Sequence, residues 1–523
     1  MPRQVPVTFV PAAVTVWVEY GTTVLEASKR AGLIVPAPCG GRGVCASCGV
    51  RVISGRLEDP DDTERAGLRR APDDVRLACR ARVSGPVEIR PLIAPLTIER
   101  TGASAARVPL VAGVDLGTTS VAALLVDAVS GREVARAAVP NQQQSFGADV
   151  LTRLSAAIDG ASVALREAAE ASIVLALESA AALGGVQTAG IERLVVAANS
   201  AMIALVLGAD VAPLATAPFT AASSGGDLPI DSPVHAVLSE SATGIVLPPI
   251  SGFVGGDALA AAIAAGLSEA DEPILLVDFG TNAEIVLAGC GPLTVASAAA
   301  GPAFEGAGIS CGGPAAEGAV TSVSIRADGS VELTTLGAEN PRWFSGSGIV
   351  SAIAELKRAG HVRGDGLLTA DGPLRDHFAV DEQGVVTISL GTPDGRLTVS
   401  QLDVRSVQLA KAAVRAGITA VLGSAGIGAR ELAGIRIAGA FGSAMSASDL
   451  VDLGVVPLDA AGVLTSVGNA ALEGAATVAL DPSLQETAAM LASQARHVDL
   501  AGDPGFASAL MAATEFAPYS IGG

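Results

Sequence analysis

Residues 111–127, VAGVDLGTTSVAALLVD, decide the fold of the larger part of this chain. The apolar residues on either side of the segment DLGTTS predict two buried strands joined by a tight turn. Glycine lets the backbone of such a turn approach a ligand, and successive N–H groups and hydroxyls can donate hydrogen bonds to a phosphate. We therefore predict that phosphate is held by Gly117, Thr118 and Thr119. A carboxylate beside the turn, Asp115, can hold a water on Mg²⁺; an ordinary hairpin with a polar turn is the alternative.

The same pattern returns at residues 273–287, PILLVDFGTNAEIVL. Asp278 stands where Asp115 stands in the first copy, after an apolar run and before a polar turn. The equivalent phosphate-binding positions are Gly280, Thr281 and Asn282. A repeat of this kind predicts two pseudo-equivalent lobes that face one nucleotide. In that arrangement Asp115 and Asp278 orient Mg²⁺ and the attacking water.

A third glycine turn lies in residues 435–446, IRIAGAFGSAMS. The pattern predicts a strand, a turn and the start of a helix. Gly439 and Gly442 would let the backbone pack against an adenosine, because neither residue has a side chain in the way.

Two further carboxylates lie in glycine-rich segments. Asp257 follows a glycine pair and is predicted either to position magnesium or water, or to cap a helix. Glu305 lies in the segment GPAFEGAGISCGG, which we expect to be functional because it accompanies a nucleotide-binding motif. Both are candidate catalytic residues. On the long helix predicted at 402–425, by contrast, Lys411 is expected to lie on a solvated face.

Four of the six cysteines lie in the N-terminal part of the chain. Cys39, Cys45 and Cys48 have the spacing C-x5-C-x2-C in a glycine-rich loop, and Cys79 is distant. This arrangement is close to that of plant-type ferredoxins, with one extra residue in the first gap. Four thiolates could instead hold Zn²⁺, but structural zinc sites usually comprise two close pairs. A [2Fe–2S] cluster ligated by these four cysteines is therefore the preferred prediction, ahead of zinc and of unligated thiols.

Composition limits the classes of function. A chain of 523 residues is expected to form roughly two to four domains, and 50% apolar residues with only 3% aromatics predict a large core of small side chains. The net charge of −20 argues against nucleic acid or an anionic membrane as main partner, because both require excess Lys and Arg. The N-terminus lacks a signal-peptide core, and no uninterrupted apolar run reaches the ~18–20 residues of a membrane span, so we expect a cytoplasmic protein.

These motifs together resemble known families. Residues 1–90 look like an α+β, β-grasp [2Fe–2S] ferredoxin domain, and residues 91–108 have the composition of a linker. The ordered trio of two phosphate motifs and an adenosine motif is similar to that of the acetate/sugar kinase–heat-shock chaperone–actin (ASKHA) superfamily. The resemblance implies a two-lobed α/β, actin-like (ribonuclease H-like) ATPase domain at 109–523, with lobe I at about 109–270 and lobe II at about 271–523.

A ferredoxin domain ahead of such an ATPase resembles the reductive activators of corrinoid proteins. The matching segments are CGGRGVCASC, VDLGTTS, NSAM, GFVGGD, VDFGTNAEI, GPAFEGAGISCG, IAGAFGS and VGNAALEGA. The resemblance implies ATP-driven transfer of one electron from the cluster to the cobalt(II) of a corrinoid protein in a methyltransferase system, which restores cobalt(I). It also implies an upstream low-potential electron donor and leaves a homodimer open. Better-known members carry an extra middle domain before the ATPase, whereas only residues 91–108 separate the two parts here.

Two other functions remain open from the sequence. A small-metabolite kinase of the ASKHA fold, regulated by a redox-sensing ferredoxin domain, would need a carboxylate facing its acceptor, and Asp257 or Glu305 could serve. A ferredoxin-type electron carrier with a non-catalytic nucleotide-binding scaffold is the second alternative. Cys290 and Cys311 raise the idea of a cluster shared across a dimer, against which their apolar setting favours buried structural thiols.

Overall fold

The computed structural model describes residues 4–10, 14–31, 35, 43, 48–68, 75–91, 108–147, 149–337, 340–380, 383–391, 397–439, 445–503 and 505–521. The chain divides into two compact units, Met1–Gly256 with Ala475–Pro482, and Asp257–Gly474 with Ser483–Gly523. Across the described ranges, no helix combines the length and the apolar character needed to cross a membrane.

The N-terminal module is a five-stranded sheet with two short helices. Its elements are β1 (Gln4–Phe9), β2 (Val14–Glu19), α1 (Val24–Arg30), β3 (Gly49–Leu57), α2 (Asp62–Gly67), β4 (Val75–Leu77) and β5 (Val83–Pro91). The strand order is β2-β1-β5-β3-β4, with β1 parallel to β5 and the other neighbours antiparallel. Val7, Phe9 and Ile89 are fully buried in its core. This mixed sheet is the β-grasp fold that the sequence predicts.

The segment interpreted as lobe I forms a six-stranded sheet. Its elements are β6 (Leu110–Leu116), β7 (Ser120–Asp127), β8 (Glu133–Pro140), α3 (Val150–Ala156), α4 (Ser162–Gly184), β9 (Ile191–Ala198), α5 (Ser200–Val206), α6 (Ala212–Ala215), β10 (Gly226–Asp227) and β11 (Thr243–Val246). The strand order is β10-β11-β9-β6-β7-β8. β6, β7 and β8 form an antiparallel meander, whereas β9 runs parallel to β6 and β11 runs parallel to β9. Leu165, Ile173 and Leu177 of α4 are buried in the same core as this sheet.

The segment interpreted as lobe II contains a second six-stranded sheet, two small three-stranded sheets and most of the remaining helices. Its strands are β12 (Ile274–Phe279), β13 (Ala283–Ala288), β14 (Thr294–Ala298), β15 (Ala319–Ile325), β16 (Val331–Thr335), β17 (Trp343–Phe344), β18 (Phe378–Val380), β19 (Val386–Ser389), β20 (Thr398–Ser400), β21 (Gly434–Ala438), β22 (Leu464–Gly468) and β23 (Arg496–His497). Helix α7 (Gly256–Ala264) precedes this part and lies in the range interpreted as lobe I. The helices of lobe II are α8 (Gly346–Arg358), α9 (Gln401–Ala425), α10 (Ala447–Asp452), α11 (Ala470–Leu480), α12 (Ser483–Gln494) and α13 (Phe506–Ala512).

Five strands of each large sheet share one topology, and the sixth strand, β10 in the first sheet and β23 in the second, lies at opposite edges. The second sheet has the order β22-β21-β12-β13-β14-β23. Its meander β12-β13-β14 corresponds to β6-β7-β8, and its parallel strands β21 and β22 correspond to β9 and β11. The predicted duplication is therefore confirmed at the level of the fold, and each phosphate motif is the first hairpin of its sheet.

Candidate cluster and nucleotide sites

The first phosphate hairpin turns between the end of β6 and the start of β7. Asp115 is the penultimate residue of β6. The turn requires glycine at Gly117, because a Cβ there would lie 2.8 Å from the carbonyl oxygen of Ser120. The Thr118 hydroxyl accepts a hydrogen bond of 3.0 Å from the side-chain amide of Asn199. This hydroxyl is therefore oriented by the residue that caps α5.

Polar side chains after β8 hold the same turn from within the lobe. The side-chain amide of Asn141 donates to the carbonyl oxygen of Gly117 over 2.8 Å, and its backbone N–H donates to that of Thr119 over 3.0 Å. Gln144 donates to the Thr119 oxygen over 2.5 Å. Asn141 and Gln144 are buried. The sequence analysis missed both residues, for which the polar run NQQQ directly after a strand is the local signal.

The second hairpin has the same construction. Asp278 is the penultimate residue of β12, and the Gly280 N–H donates to the Asn282 carbonyl over 3.0 Å to close the turn. The Thr281 hydroxyl donates to Oε1 of Glu305 over 2.7 Å. The structure thus brings together Thr281 and Glu305, which the sequence nominated separately.

Three carboxylates interact beside this hairpin. Asp278 pairs with Glu284 across β12 and β13, and Asp257 lies within the first turn of α7 rather than before that helix. Burial, and then the negative charges of Asp257 and Asp278, raise the pKa of Glu284 well above its ordinary value, although the Ser297 hydroxyl donates to it over 3.3 Å. A divalent cation would offset this repulsion. The sequence analysis missed Glu284, which the hairpin register places opposite Asp278.

The third motif meets the second hairpin. β21 runs parallel to β12, and Gly439 follows it with a φ of +102°. A Cβ at Gly439 would lie 2.4 Å from the carbonyl oxygen of Phe279 and 3.0 Å from Oδ1 of Asp278. Only glycine fits there, because both the backbone conformation and the space exclude a side chain. Gly442 lies outside the described residues.

Lys411 does not lie on a solvated face. Its side chain is fully buried, its Nζ donates to the carbonyl oxygen of Glu515, and it lies 5.4 Å from the centre of the Phe516 ring. Burial, assisted by the charge of Arg415, lowers the pKa of Lys411 to about 7. The prediction is wrong because the C-terminal segment covers this side of α9.

Cys48 and Cys79 form the described part of the predicted cluster site. Their sulfur atoms lie 3.3 Å apart and both thiols are buried. Cys48 precedes β3 and Cys79 follows β4, so the pairing of these strands brings the sulfurs together. Two thiolates at this separation can reach one metal atom at a bond length of roughly 2.3 Å, the value for zinc. The pair therefore fits a metal–thiolate centre, while Cys39 and Cys45 lie outside the described residues.

The two remaining cysteines differ from each other. Cys290 is exposed, and Cys311 is half-buried with its sulfur 3.5 Å from the hydroxyl of Thr398. The expectation of buried structural thiols is therefore wrong for Cys290. The residue lies beyond the end of β13, where the chain has left the core of the sheet.

Three family models match the chain. The model of the 2Fe-2S iron-sulfur cluster binding domain matches residues 8–84. The model of the RACo middle region matches residues 110–270, and that of the C-terminal domain of RACo, the ASKHA domain, matches residues 272–521. The protein is thus a fusion of a ferredoxin-type cluster domain with an ASKHA domain.

Individual relatives define the family. The corrinoid activation enzyme RamQ of Eubacterium limosum is 32% identical over 421 residues, which cover 77% of this chain and 69% of that protein. A [Co(II) methylated amine-specific corrinoid protein] reductase of Methanosarcina barkeri is 29% identical over 260 residues, 46% of this chain and 45% of that protein. The solved structure of a reductive activator for a corrinoid, iron-sulfur protein has the same fold, with a TM-score of 0.72, 24% identity and coverage of 98% of both chains. This chain belongs to the family of reductive activators of corrinoid proteins.

The family match corrects one expectation. From the short separation at 91–108, the sequence analysis inferred that the chain lacks a middle domain. The model of the middle region matches residues 110–270, which are the residues interpreted as lobe I. The inference is wrong because the middle region itself contains a phosphate hairpin and a sheet with the topology of lobe II.

Proposed function

We propose that this protein is an ATP-dependent reductive activator of a corrinoid protein. One electron passes from a reduced [2Fe–2S] cluster to the cobalt(II) of the partner, so the cobalt becomes cobalt(I) and the cluster is oxidised. ATP hydrolysis supplies the free energy. A low-potential donor upstream restores the electron after each turnover, and the partner belongs to a methyltransferase system.

The observation that carries this proposal is the presence of a ferredoxin-type cluster domain and an ASKHA domain in one chain of this family. The sulfurs of Cys48 and Cys79 fit a metal–thiolate centre, and two phosphate hairpins begin two sheets of the same topology. An electron moves uphill at a cost of a factor of ten for each ~59 mV. A nucleotide-driven change can overcome this cost if the protein then binds one redox state of its acceptor better than the other.

The residues carry distinct proposed roles. Asp115 and Asp278 orient Mg²⁺ and the attacking water, since each ends a strand beside a phosphate turn. Asp257 completes the magnesium side of the second hairpin, as its interaction with Glu284 supports. Glu305 fixes the Thr281 hydroxyl. The phosphates are held by Gly117, Thr118, Thr119, Gly280, Thr281 and Asn282, the adenosine by Gly439 and Gly442, and the cluster by Cys39, Cys45, Cys48 and Cys79.

Reduction of a cobalt(II) corrinoid protein tests the proposal. The full chain, a strong reductant and the cognate corrinoid protein should give the absorption of cobalt(I) only when ATP and Mg²⁺ are present. Asp278→Ala should retain a reducible cluster and give no cobalt(I). Cys79→Ser should retain ATP hydrolysis and also give no cobalt(I). The cluster supplies the electron and ATP hydrolysis supplies the free energy, so neither suffices alone.

The same assay separates the alternatives. Equal cobalt(I) formation with and without nucleotide would mean that the chain is an electron carrier with a non-catalytic scaffold. ATP consumption in proportion to a phosphorylated small molecule, without cobalt(I), would mean that it is a redox-regulated kinase. Either result would replace the activator proposal.

A further inference from the structure

A buried arginine lies behind the first phosphate turn. Arg153 belongs to α3 and its side chain is fully buried. Its Nη2 donates to the carbonyl oxygen of Thr118 over 2.6 Å, and its Nε donates to that of Gly147 over 3.0 Å. Its Nη1 lies 3.4 Å from Oε1 of Gln143 and 3.6 Å from the sulfur of Met202. Each of the three guanidinium nitrogens therefore has a partner within the lobe.

No carboxylate of the described residues contacts this guanidinium. Within the described residues, every acceptor that Arg153 contacts is neutral. Burial lowers the pKa of Arg153 to about 10, against the opposing charge of Asp149, so the side chain stays protonated at neutral pH. Burying an unpaired charge is unfavourable. A buried charge of this kind is a candidate for a role in which the positive charge itself is used.

The three carbonyl groups of the turn all accept hydrogen bonds from inside the lobe. Asn141 contacts Gly117, Arg153 contacts Thr118, and Gln144 contacts Thr119. In a planar trans peptide the N–H points opposite to the C=O. The N–H of Thr119 belongs to the peptide whose oxygen Arg153 binds, so it points away from the guanidinium. A charged donor on the oxygen also polarises that peptide and strengthens its N–H as a donor.

We propose that Arg153 is a positioning residue for the nucleotide phosphates, which it serves through the turn rather than by contact. It fixes the Thr118–Thr119 peptide so that its N–H faces the phosphate, and it adds positive charge behind a turn that contains no cation of its own. This inference rests on the proposed function, because it requires that the first turn binds phosphate.

Nucleotide affinity in matched variants tests the inference. Arg153→Met removes the charge and the hydrogen bonds from the turn. The matched control is Arg193→Met, because Arg193 lies in the same unit and likewise donates to two backbone carbonyls, those of Ala479 over 2.6 Å and Leu480 over 3.1 Å, away from the turn. Calorimetry on the full chain with Mg²⁺ should compare the affinities of each variant for ATP, ADP and adenosine. Cluster absorbance and the unfolding midpoint verify folding of each variant.

The loss of affinity should depend on how many phosphates the ligand carries, and this dependence separates a positioning role from a merely structural one. In Arg153→Met the affinity for ATP should fall about tenfold to a hundredfold, the range for a hydrogen bond to a charged group. The affinity of this variant for ADP should fall less, and its affinity for adenosine should be unchanged. Arg193→Met should bind all three ligands with affinities close to those of the wild type. Equal losses for adenosine and ATP, or no loss for ATP, would overturn the inference.

A second variant covers the case in which Arg153→Met does not fold. Gln143→Glu places a carboxylate beside Nη1 and cancels the charge while the guanidinium remains in place. The same selective loss of ATP affinity is expected, and unchanged ATP affinity would overturn the inference. A wild-type chain that binds no ATP would instead overturn the proposed function, and this inference with it, so the two failures are distinguishable.

Discussion

Replacing Asp403 by alanine should lower the free energy of unfolding of lobe II by about 2 kcal/mol. Asp403 lies in the first turn of α9 and its side chain is 2% exposed. Its carboxylate accepts from the N–H and hydroxyl of Ser310, over 2.7 and 2.5 Å, and from the same groups of Ser400, over 2.8 and 2.7 Å. The Ser400 bonds cap the helix. The Ser310 bonds fasten the glycine-dense loop that carries Glu305 to α9.

The magnitude follows from the groups that alanine would leave behind. Two backbone N–H groups, those of Ser310 and Ser400, would lose their acceptor. Ser310 is exposed, so water replaces the acceptor there, whereas Ser400 is buried and its unsatisfied donor costs ~1–3 kcal/mol. The lost cap is worth ~0.5–2 kcal/mol but includes the Ser400 N–H already counted. The middle of the range for the Ser400 N–H is about 2 kcal/mol, a substantial part of the ~5–15 kcal/mol that stabilises a typical domain.

One tryptophan reports on this loop. The chain has two tryptophans, Trp17 in the N-terminal module and Trp343 in lobe II. The indole N–H of Trp343 donates to the Pro314 carbonyl over 2.7 Å, and a Cβ at Gly313 would lie 2.6 Å from its ring. In a Trp17→Phe background, urea unfolding followed by Trp343 fluorescence therefore measures lobe II.

Asp328→Ala is the matched control in the same lobe. The Asp328 carboxylate also accepts from the N–H and hydroxyl of one serine, Ser330, over 2.9 and 2.6 Å, but it is exposed. Water replaces the lost acceptor there, so the loss should stay below about 1 kcal/mol. If Asp403→Ala cost no more than Asp328→Ala, the reasoning that burial of these hydrogen bonds stabilises the lobe would be refuted.

Three further predictions concern the cluster and the two hairpins. Cys79→Ser should lose the cluster, since a hydroxyl replaces a thiolate ligand, and iron analysis with visible absorption checks this; unaltered iron content would exclude Cys79 as a ligand. Asp115→Ala and Asp278→Ala should each abolish ATP hydrolysis and leave the cluster spectrum unchanged, and unaltered turnover in both would remove the hairpins from the site. The pKa of Glu284 is raised on folding, so its charge destabilises the folded state as pH rises above the unfolded value of 4.5. Glu284→Gln should therefore raise the unfolding midpoint at neutral pH without Mg²⁺, by an amount that shrinks as pH falls toward 4.5; an equal gain at every pH would contradict the linkage.

The sequence was sufficient to predict the two hairpins because their signal is local. Apolar runs flank DLGTT and DFGTN, and the period-two pattern of such strands sets which residues pair. The β-grasp fold was expected from the resemblance of the cysteine motif to ferredoxins, and the ASKHA fold from the resemblance of the two hairpins and the adenosine motif, in that order, to the ASKHA superfamily. The meeting of Gly439 with the end of β12 also follows, since parallel strands of one sheet end at the same edge.

The supporting residues could not be predicted because their partners are distant in the chain. Arg153 lies 35 positions from Thr118, whose carbonyl it binds, and Lys411 lies 104 positions from Glu515. A lysine on a long helix that also carries Arg405 and Arg415 predicts a solvated face when its partner is unknown. For Lys411 that interpretation fails, because the covering segment comes from the end of the chain.

The two copies of the hairpin have the same backbone and opposite electrostatic surroundings. A buried guanidinium, Arg153, lies behind the first turn, and three interacting carboxylates, Asp257, Asp278 and Glu284, lie beside the second. A positive charge behind backbone N–H groups favours an anion, whereas clustered carboxylates favour a cation. Under the proposed function, the first hairpin is therefore expected to favour phosphate and the second to favour Mg²⁺.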